Sequence, residues 1–459
     1  MYIKDTIIST ITPVTGGSVS LLRVSGENSI ELTNRYFSSH DLSKSKGGSF
    51  YFGSLNDLSN SKIDEVIVYI FRKPKSYTGE NIVEISCHGN VFIVEEILNL
   101  YLKDGCRIAE PGEFTKRAFL NGKMDLLQAE AVADLIASKS KASVKNSLQL
   151  LEGRLSKHVY KLKKNLVDIA SLLELELDFS EEGLEIISKE KYLNSVSTTI
   201  EGINKLLNSY NNAREFKNGV EILIAGKPNV GKSSLMNAFL ERDRVIVSHI
   251  PGTTRDLVHE DIILDDIMVR LIDTAGIRFT KDHIEAEGVS RARKLLETGN
   301  LILIVIDISE ALDDDDIEII NNLIEKKRQK IIIVCNKTDI GINPDADLFI
   351  KKLGIETILI SAKEEQNIDI LKQKITNRIK KYEIELAENI IISNKRQYEI
   401  LLAVKDILNR NSESFRNNEG FEFIAADLRL AINKFSEITG EITTDDILNN
   451  IFSSFCIGK

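Results

Sequence analysis

The sequence predicts a multidomain chain of α/β and α class. An α+β domain (residues 1–118) leads, and a helical domain comes in two halves (119–217 and 381–459) with a doubly wound α/β domain (218–380) inserted between them. Three observations carry this. The octapeptide Gly226-Lys-Pro-Asn-Val-Gly-Lys-Ser233 stands between the apolar run Val220–Ala225 and a helix-like start at Ser234–Leu240, the strand-loop-helix context that a P-loop requires. Short β-like runs alternate with helix-like ones before residue 118. Proline-free stretches with apolar residues at helical spacing lie on both sides of the inserted domain.

A chain of 459 residues exceeds one hydrophobic core and suggests two to four domains. Its net charge of −10 argues against wholesale coating of nucleic acid, so any RNA contact would be a local patch. Cys87, Cys106, Cys335 and Cys456 are scattered without C-x-x-C spacing, which implies neither a zinc site nor a disulfide framework and fits a reducing cytosol. Met1–Pro13 contains Asp5 where a signal peptide needs an unbroken apolar region. The longest apolar run, Leu301–Ile306, is strand-sized, so no membrane span and a cytoplasmic location are expected.

In the N-terminal domain, Thr6–Thr12, Val19–Val24, Phe50–Leu55, Val66–Phe71 and Ile82–Ser86 read as strands and Val91–Leu102 as a helix. His88, in the turn Cys87-His88-Gly89, reads as a hydrogen-bonded structural residue, since nothing pairs it with a nucleophile. An apolar stripe begins at Leu126, Leu127, Ala131, Leu135 and Ile136 and continues through Leu162, Leu166, Ile169, Leu172 and Leu173. It resumes with Ile400, Leu401, Val404, Ile407 and Leu408, then Leu428, Leu430 and Ile432. Lys139, Lys141, Lys145, Arg154, Lys157, Lys161, Lys163 and Lys164 face a single acid, Glu152; the stretch is either an RNA contact or a solvated face balanced by Glu174–Glu185. The aromatic tail Ile451–Lys459 is expected to dock rather than hang free.

The inserted domain carries the chemistry. Backbone N–H groups of Asn229, Val230 and Gly231 can curl around a phosphate, Lys232 reaches the outer phosphates, and the Ser233 hydroxyl suits magnesium, with Ser234 beginning the helix. Asp273-Thr274-Ala275-Gly276 ends the run Met268–Ile272, so its carboxylate can hold magnesium through water and the Gly276 N–H can meet a γ-phosphate. Asn336-Lys337-Thr338-Asp339 ends Ile331–Cys335, and Asp339 can accept from both N–H groups of guanine, where adenine offers an acceptor. Ser361-Ala362-Lys363 fits a backbone contact to the guanine carbonyl. Four such motifs in this order at strand ends specify a guanine-nucleotide domain.

Asp5-Thr6-Ile7, Leu22-Arg23-Val24-Ser25-Gly26, the segment Arg107–Leu120, Gly252-Thr253-Thr254-Arg255-Asp256, Ser436–Glu441 and the terminal Cys456-Ile-Gly-Lys459 together resemble the MnmE (TrmE) family, over the whole chain. The resemblance implies a Ras-like GTPase domain and a folate-binding-like N-terminal domain that forms a homodimer. It further implies GTP hydrolysis in a complex with the flavoprotein MnmG, a heterotetramer. That complex adds an aminomethyl or carboxymethylaminomethyl group to C5 of the wobble uridine of certain tRNAs. The family's contacts to 5-formyltetrahydrofolate fall on Arg23, Glu84, Lys123 and Lys459.

The residue after Gly276 is Ile277, where a water-positioning glutamine sits in Ras-like enzymes. The resemblance implies instead a potassium ion held by Asn229, Ser248, Ile250 and Thr253 when two nucleotide domains meet, with magnesium on Ser233 and Thr254. Pro251 and Gly252 complete that switch loop, and His249 within it reads as incidental to the chemistry. Glu285 is the candidate for orienting water through an intermediary, Arg278 a lesser one, and Cys456 a candidate catalytic residue of the tail. A ribosome-assembly GTPase would carry an RNA-binding module such as a KH domain with its Gly-x-x-Gly loop, and none is evident.

Overall fold

The computed structural model describes residues 5–13, 17–138, 141–178, 187–217, 220–243, 259–265, 267–273, 301–327, 330–387, 392, 394–453, 455 and 458. The chain divides into two compact units, one of residues 1–137, 147–201 and 399–459, the other of residues 138–146 and 202–398. The second is thus inserted into the first.

The first unit opens with a six-stranded sheet of β1 (Ile7–Thr10), β2 (Val19–Ser25), β3 (Ser49–Asn56), β4 (Lys62–Phe71), β5 (Ile82–His88) and β6 (Arg107–Ile108), in the order β3-β4-β5-β2-β1-β6. All neighbours are antiparallel except β1 and β6. β4 shows why: along Lys-Ile-Asp-Glu-Val-Ile-Val-Tyr-Ile-Phe, the buried positions Asp64, Val66, Val68 and Ile70 alternate with more exposed ones, the period of a half-covered strand. Helices α1 (Ser29–Tyr36) and α2 (Val91–Lys103) cover the apolar face. The Asn90 side chain accepts the Phe92 N–H and caps α2.

The helical part of this unit begins with α3 (Glu113–Leu120) and α4 (Leu126–Ala137); α5 (Lys141–Leu151) follows across the unit boundary. In α6 (Arg154–Asp178), Leu155, Val159, Leu162, Leu166, Ile169 and Leu173 recur every three or four residues and are all buried. α7 (Lys189–Lys217) passes into the second unit and α12 (Lys395–Arg416) returns from it. α13 (Phe421–Thr439), packed on α6, and α14 (Asp445–Ser453) complete the unit. Tyr192 stacks on Phe415 with centroids 3.9 Å apart, and its hydroxyl donates to Asn411.

Two expected stripe residues face outward. Ile136 is 47% and Leu430 44% exposed. Leu428, Ala431 and Phe435 hold the buried face of α13, and Leu430, two residues from Leu428, lies about 200° around the helix from it.

The second unit holds a six-stranded sheet of β7 (Val220–Ala225), β8 (His259–Leu264), β9 (Ile267–Asp273), β10 (Leu301–Asp307), β11 (Ile331–Asn336) and β12 (Thr357–Leu359), in the order β12-β11-β10-β7-β9-β8. Only β8 runs antiparallel to its neighbour. β10 and β11 are almost uninterrupted Ile, Leu and Val and are buried on both faces, as central parallel strands covered by helices must be. Those helices include α8 (Lys232–Asp243), α9 (Asp314–Lys327), α10 (Pro344–Lys352) and α11 (Ile368–Ala387). The direction of winding reverses between β7 and β10, so the loop after β7 opens at the carboxyl edge where such sheets bind ligands.

Candidate functional site

Three loops meet at that edge. The loop after β7 is shaped by positions that a side chain would disrupt: Gly226 and Gly231 have φ of 144° and 98°. A Cβ would lie 2.2 Å from the Val305 carbonyl at Gly226 and 2.1 Å from Asn336 Nδ2 at Gly231. Asn229 sits in the left-handed region at φ 66°, which asparagine tolerates better than other non-glycine residues. Lys232 opens α8 with its side chain folded back, Nζ donating to the carbonyls of Gly226 at 2.7 Å and Lys227 at 2.5 Å. Ser233 and Ser234 are exposed on the first turn of α8.

Asn336, 2% exposed at the end of β11, joins this loop to the one after β12. Its Nδ2 donates to the Val230 carbonyl at 2.8 Å and its Oδ1 accepts the Ala362 N–H at 2.9 Å. Of the turn Ser361-Ala362-Lys363, expected to offer a backbone contact to a base, the Ala362 N–H is thus engaged by Asn336. The Ser361 hydroxyl donates to Asp339 Oδ1 at 2.6 Å and aims that carboxylate. Lys337, left-handed at φ 66°, pairs with Asp307 at 2.6 Å. Burial pushes the Asp307 carboxyl up, but Lys337 and the donors of Ser309 outweigh it and hold it below the usual carboxylate range.

Two partners here escape motif reading. Asp307 ends β10 outside every motif yet orients Lys337. Lys227 pairs with Asp313, and with Asp316 at 3.5 Å, at the start of α9. Both contacts join residues of different loops, and the only signal in sequence is an acid at a strand end or an acidic run at a helix start.

Of the remaining nucleotide residues, Asp273 ends β9, where Ile224 of β7 is its register partner. Ser248, His249, Ile250, Pro251, Gly252, Thr253, Thr254, Thr274, Ala275, Gly276, Arg278 and Glu285 lie outside the described residues, as do Cys456 and Lys459. Cys87, Cys106 and Cys335 are buried, and burial pushes their thiols up to about 11, 11 and 12 respectively.

The N-terminal sheet brings together a second set of predicted residues. Arg23 and Glu84 are cross-strand partners of β2 and β5, with Arg23 Nη2 2.7 Å from Glu84 Oε1. The same guanidinium lies 5.1 Å from the Tyr77 ring centre and 5.4 Å from that of Phe114, a flat cationic and aromatic surface beside a carboxylate. Lys123 Nζ donates to the Pro74 carbonyl at 2.9 Å, at the neighbouring turn. Behind Arg23 lies a charge cluster. Arg117, 3% exposed, reaches Asp5, Glu80 Oε2 at 3.2 Å and Glu113 Oε1 at 2.9 Å. Arg107 holds Glu113 with two bonds, at 2.6 and 2.9 Å. Burial raises the Asp5 and Glu113 carboxyls, but the two guanidiniums outweigh it, so both lie below their ordinary values.

His88, as expected, is tied down: Asp64 accepts its backbone N–H at 2.8 Å and lies 2.7 Å from Nδ1. The tail docks. Phe452 and Phe455 are 2% and 8% exposed against Leu126 and Ala129, and at Gly458 a Cβ would lie 2.1 Å from the Thr10 carbonyl of β1.

Family models agree with these two regions. The MnmE helical domain matches residues 126–456 and the GTP-binding protein TrmE N-terminus matches residues 6–123. The chain is 40% identical over 458 residues to the tRNA modification GTPase MnmE of Aquifex aeolicus, covering 99% of this chain and 100% of that protein. It is 39% identical over 478 residues to that of Christiangramia forsetii, covering 100% of both. With that of Carboxydothermus hydrogenoformans the identity is 40% over 462 residues, 99% of this chain and 100% of that protein.

Proposed function

We propose, from the premise that this chain belongs to the MnmE family of tRNA modification GTPases, that it is the GTP-hydrolysing component of the complex that, with MnmG, adds a (carboxymethyl)aminomethyl group to C5 of wobble uridine. The observation that carries the nucleotide half of this reading is Asn336, which ties the loop of Val230 to the turn of Ala362 beside Asp339. The phosphate loop and the base-reading residues are thereby held as one surface.

GTP fits the residues present. The backbone of Asn229 to Gly231 forms the phosphate cradle, its tight approach to Asn336 leaving no room for a side chain at Gly231. Lys232 exchanges two loop carbonyls for phosphate oxygens, and Asp339 takes the guanine N–H groups. Magnesium fits the Ser233 hydroxyl on the exposed first turn of α8, with Thr254 as the second protein ligand. Potassium fits the left-handed Asn229 side chain, with Ser248, Ile250 and Thr253 as further oxygen donors. When bound, such a cation supplies positive charge to the transferring phosphate, a role otherwise taken by an arginine finger. Glu285, or Arg278, orients the water.

5-Formyltetrahydrofolate fits the N-terminal site by chemistry: Glu84 for the pterin N–H groups, Arg23, Lys123 and Lys459 for the anionic tail, and the Tyr77 and Phe114 rings for stacking. Cys456, in the C-terminal tail, is the candidate catalytic residue of that segment. The N-terminal domain makes the homodimer, MnmG and tRNA are the partners, and the cytoplasm is the location; among the described residues no helix is long and apolar enough to cross a membrane. The test is mass spectrometry of wobble uridines in a strain lacking the gene. Modification should vanish and return with this chain, and unchanged uridines in the deletion would sink the reading.

A further inference from the structure

The basic run of the sequence is resolved by α6 into two kinds of cation. Lys163 is occupied, pairing with Glu441, and Arg154 lies 3.6 Å from Glu152. Lys157, Lys161 and Lys164 are exposed, and their ammonium groups have no partner among the described residues. At 3.6 residues per turn, Arg154, Lys157, Lys161 and Lys164 fall within an arc of about 80°, on the side away from the buried Leu155, Leu162 and Leu166, and they extend about 15 Å along the axis. Tyr160, 60% exposed, flanks the row. Asp168, exposed on the same side, ends it.

We infer that this face of α6 is an RNA-binding ridge, on which Lys157, Lys161 and Lys164 neutralise phosphates of the tRNA backbone and Tyr160 stacks on an unpaired base. The inference rests on the proposed tRNA substrate. Charge complementarity carries it: in a chain of net charge −10, three unpaired ammonium groups in one line, with no acid between them, form a local field that a polyanion would meet. The one ring that flanks the row, Tyr160, offers an exposed aromatic face on which an unpaired base can stack. The contacts read no sequence, so the ridge orients tRNA rather than selecting it.

The test is binding of an unmodified tRNA transcript to the full-length protein as salt is varied, for wild type, the K157A/K161A/K164A triple variant, its K157R/K161R/K164R counterpart and Y160A. The triple alanine variant should lose at least roughly tenfold in affinity and lower the slope of log K against log salt by about two to three, at ~0.7–0.9 per phosphate contact. Arginines should restore both, and Y160A should weaken binding without changing the slope. Equal affinity and slope for wild type and triple alanine would overturn the ridge while leaving tRNA as substrate. No binding of tRNA by wild type, alone or with MnmG, would overturn both. Loss of MnmG binding with tRNA binding intact would assign the face to an acidic protein surface and overturn the inference.

Discussion

Asn336 and Val230 are 106 residues apart in sequence and bonded directly, Nδ2 to carbonyl oxygen at 2.8 Å. Asn336→Ala removes this bond and the one from Ala362, and each buried group left unpaired costs about 1–3 kcal/mol. GTP affinity should fall at least tenfold, at about 1.4 kcal/mol per decade, with a lower melting temperature. Asn336→Asp should be worse, since it sets a carboxylate oxygen against the Val230 carbonyl. Wild-type affinity in the alanine variant, read by fluorescent-nucleotide titration, would remove the clamp from the account.

Asp339→Asn keeps the shape while presenting an amide to the guanine amine. Losing two charge-assisted bonds, at about 1.5–3 kcal/mol each, amounts to roughly two to four decades of GTP affinity. The variant should accept xanthine nucleotide, whose carbonyl replaces the amine. GTP binding close to wild type would refute the role.

The potassium reading predicts hydrolysis much faster in potassium than in sodium at equal ionic strength, since a transition-state cation in related enzymes is worth roughly 10³–10⁵ in rate. The left-handed φ of 66° at Asn229 refines the test. Alanine there adds about 1–2 kcal/mol of backbone strain, so Asn229→Gly, which removes the side-chain carbonyl without strain, is the cleaner probe. It should flatten the salt difference and spare most GTP affinity. Equal wild-type rates in both salts would remove potassium.

Arg117→Met strands Asp5, Glu80 and Glu113 without their central cation and should cost about 3–5 kcal/mol at pH 7. Asp5 and Glu113 have folded pKa values below their ordinary ones. Their contribution is therefore present above the unfolded values, about 3.9 and 4.3, and is lost as pH falls through the folded ones. The deficit of the variant should shrink below about pH 4. Calorimetric scans from pH 3 to 7 that keep a constant gap would contradict the assignment.

Removing residues 456–459 should leave GTP hydrolysis largely intact and abolish wobble modification. Gly458→Ala should approach that phenotype, because its Cβ would meet the Thr10 carbonyl at 2.1 Å. Restored modification in a complemented deletion strain would show that the docked tail is dispensable.

The parts of the chain that were legible are those whose signal is local. β7 spans Val220–Ala225 as its apolar run indicates, and β10 exceeds Leu301–Ile306 by one residue. β8 was missed because His259-Glu-Asp-Ile-Ile-Leu264 is an edge strand whose polar half hides its period. α1 was missed because Ser-Ile-Glu-Leu-Thr-Asn-Arg-Tyr buries Ser29 and Thr33 as well as Ile30 and Leu32, so its covered face is not apolar. At the sites, motif spacing named Asn336 and Asp339 and the family resemblance pointed to Arg23 and Glu84, yet neither showed that the last two pair with each other. Nor did either join Arg117 to Asp5 across 112 positions, because ion pairs of that separation exist only once the sheet has formed.

The contact between Gly458 and Thr10 also sets a clock. The N-terminal sheet is closed by β6, so it needs only residues up to Ile108, whereas its neighbour at Thr10 arrives 350 residues later (458 − 108). At ~5–20 residues per second on the ribosome, Thr10 waits about 20–70 s for that neighbour. A nascent chain in that interval lacks the tail at Thr10, so a ligand site that used the tail would stay incomplete until translation has passed Gly458.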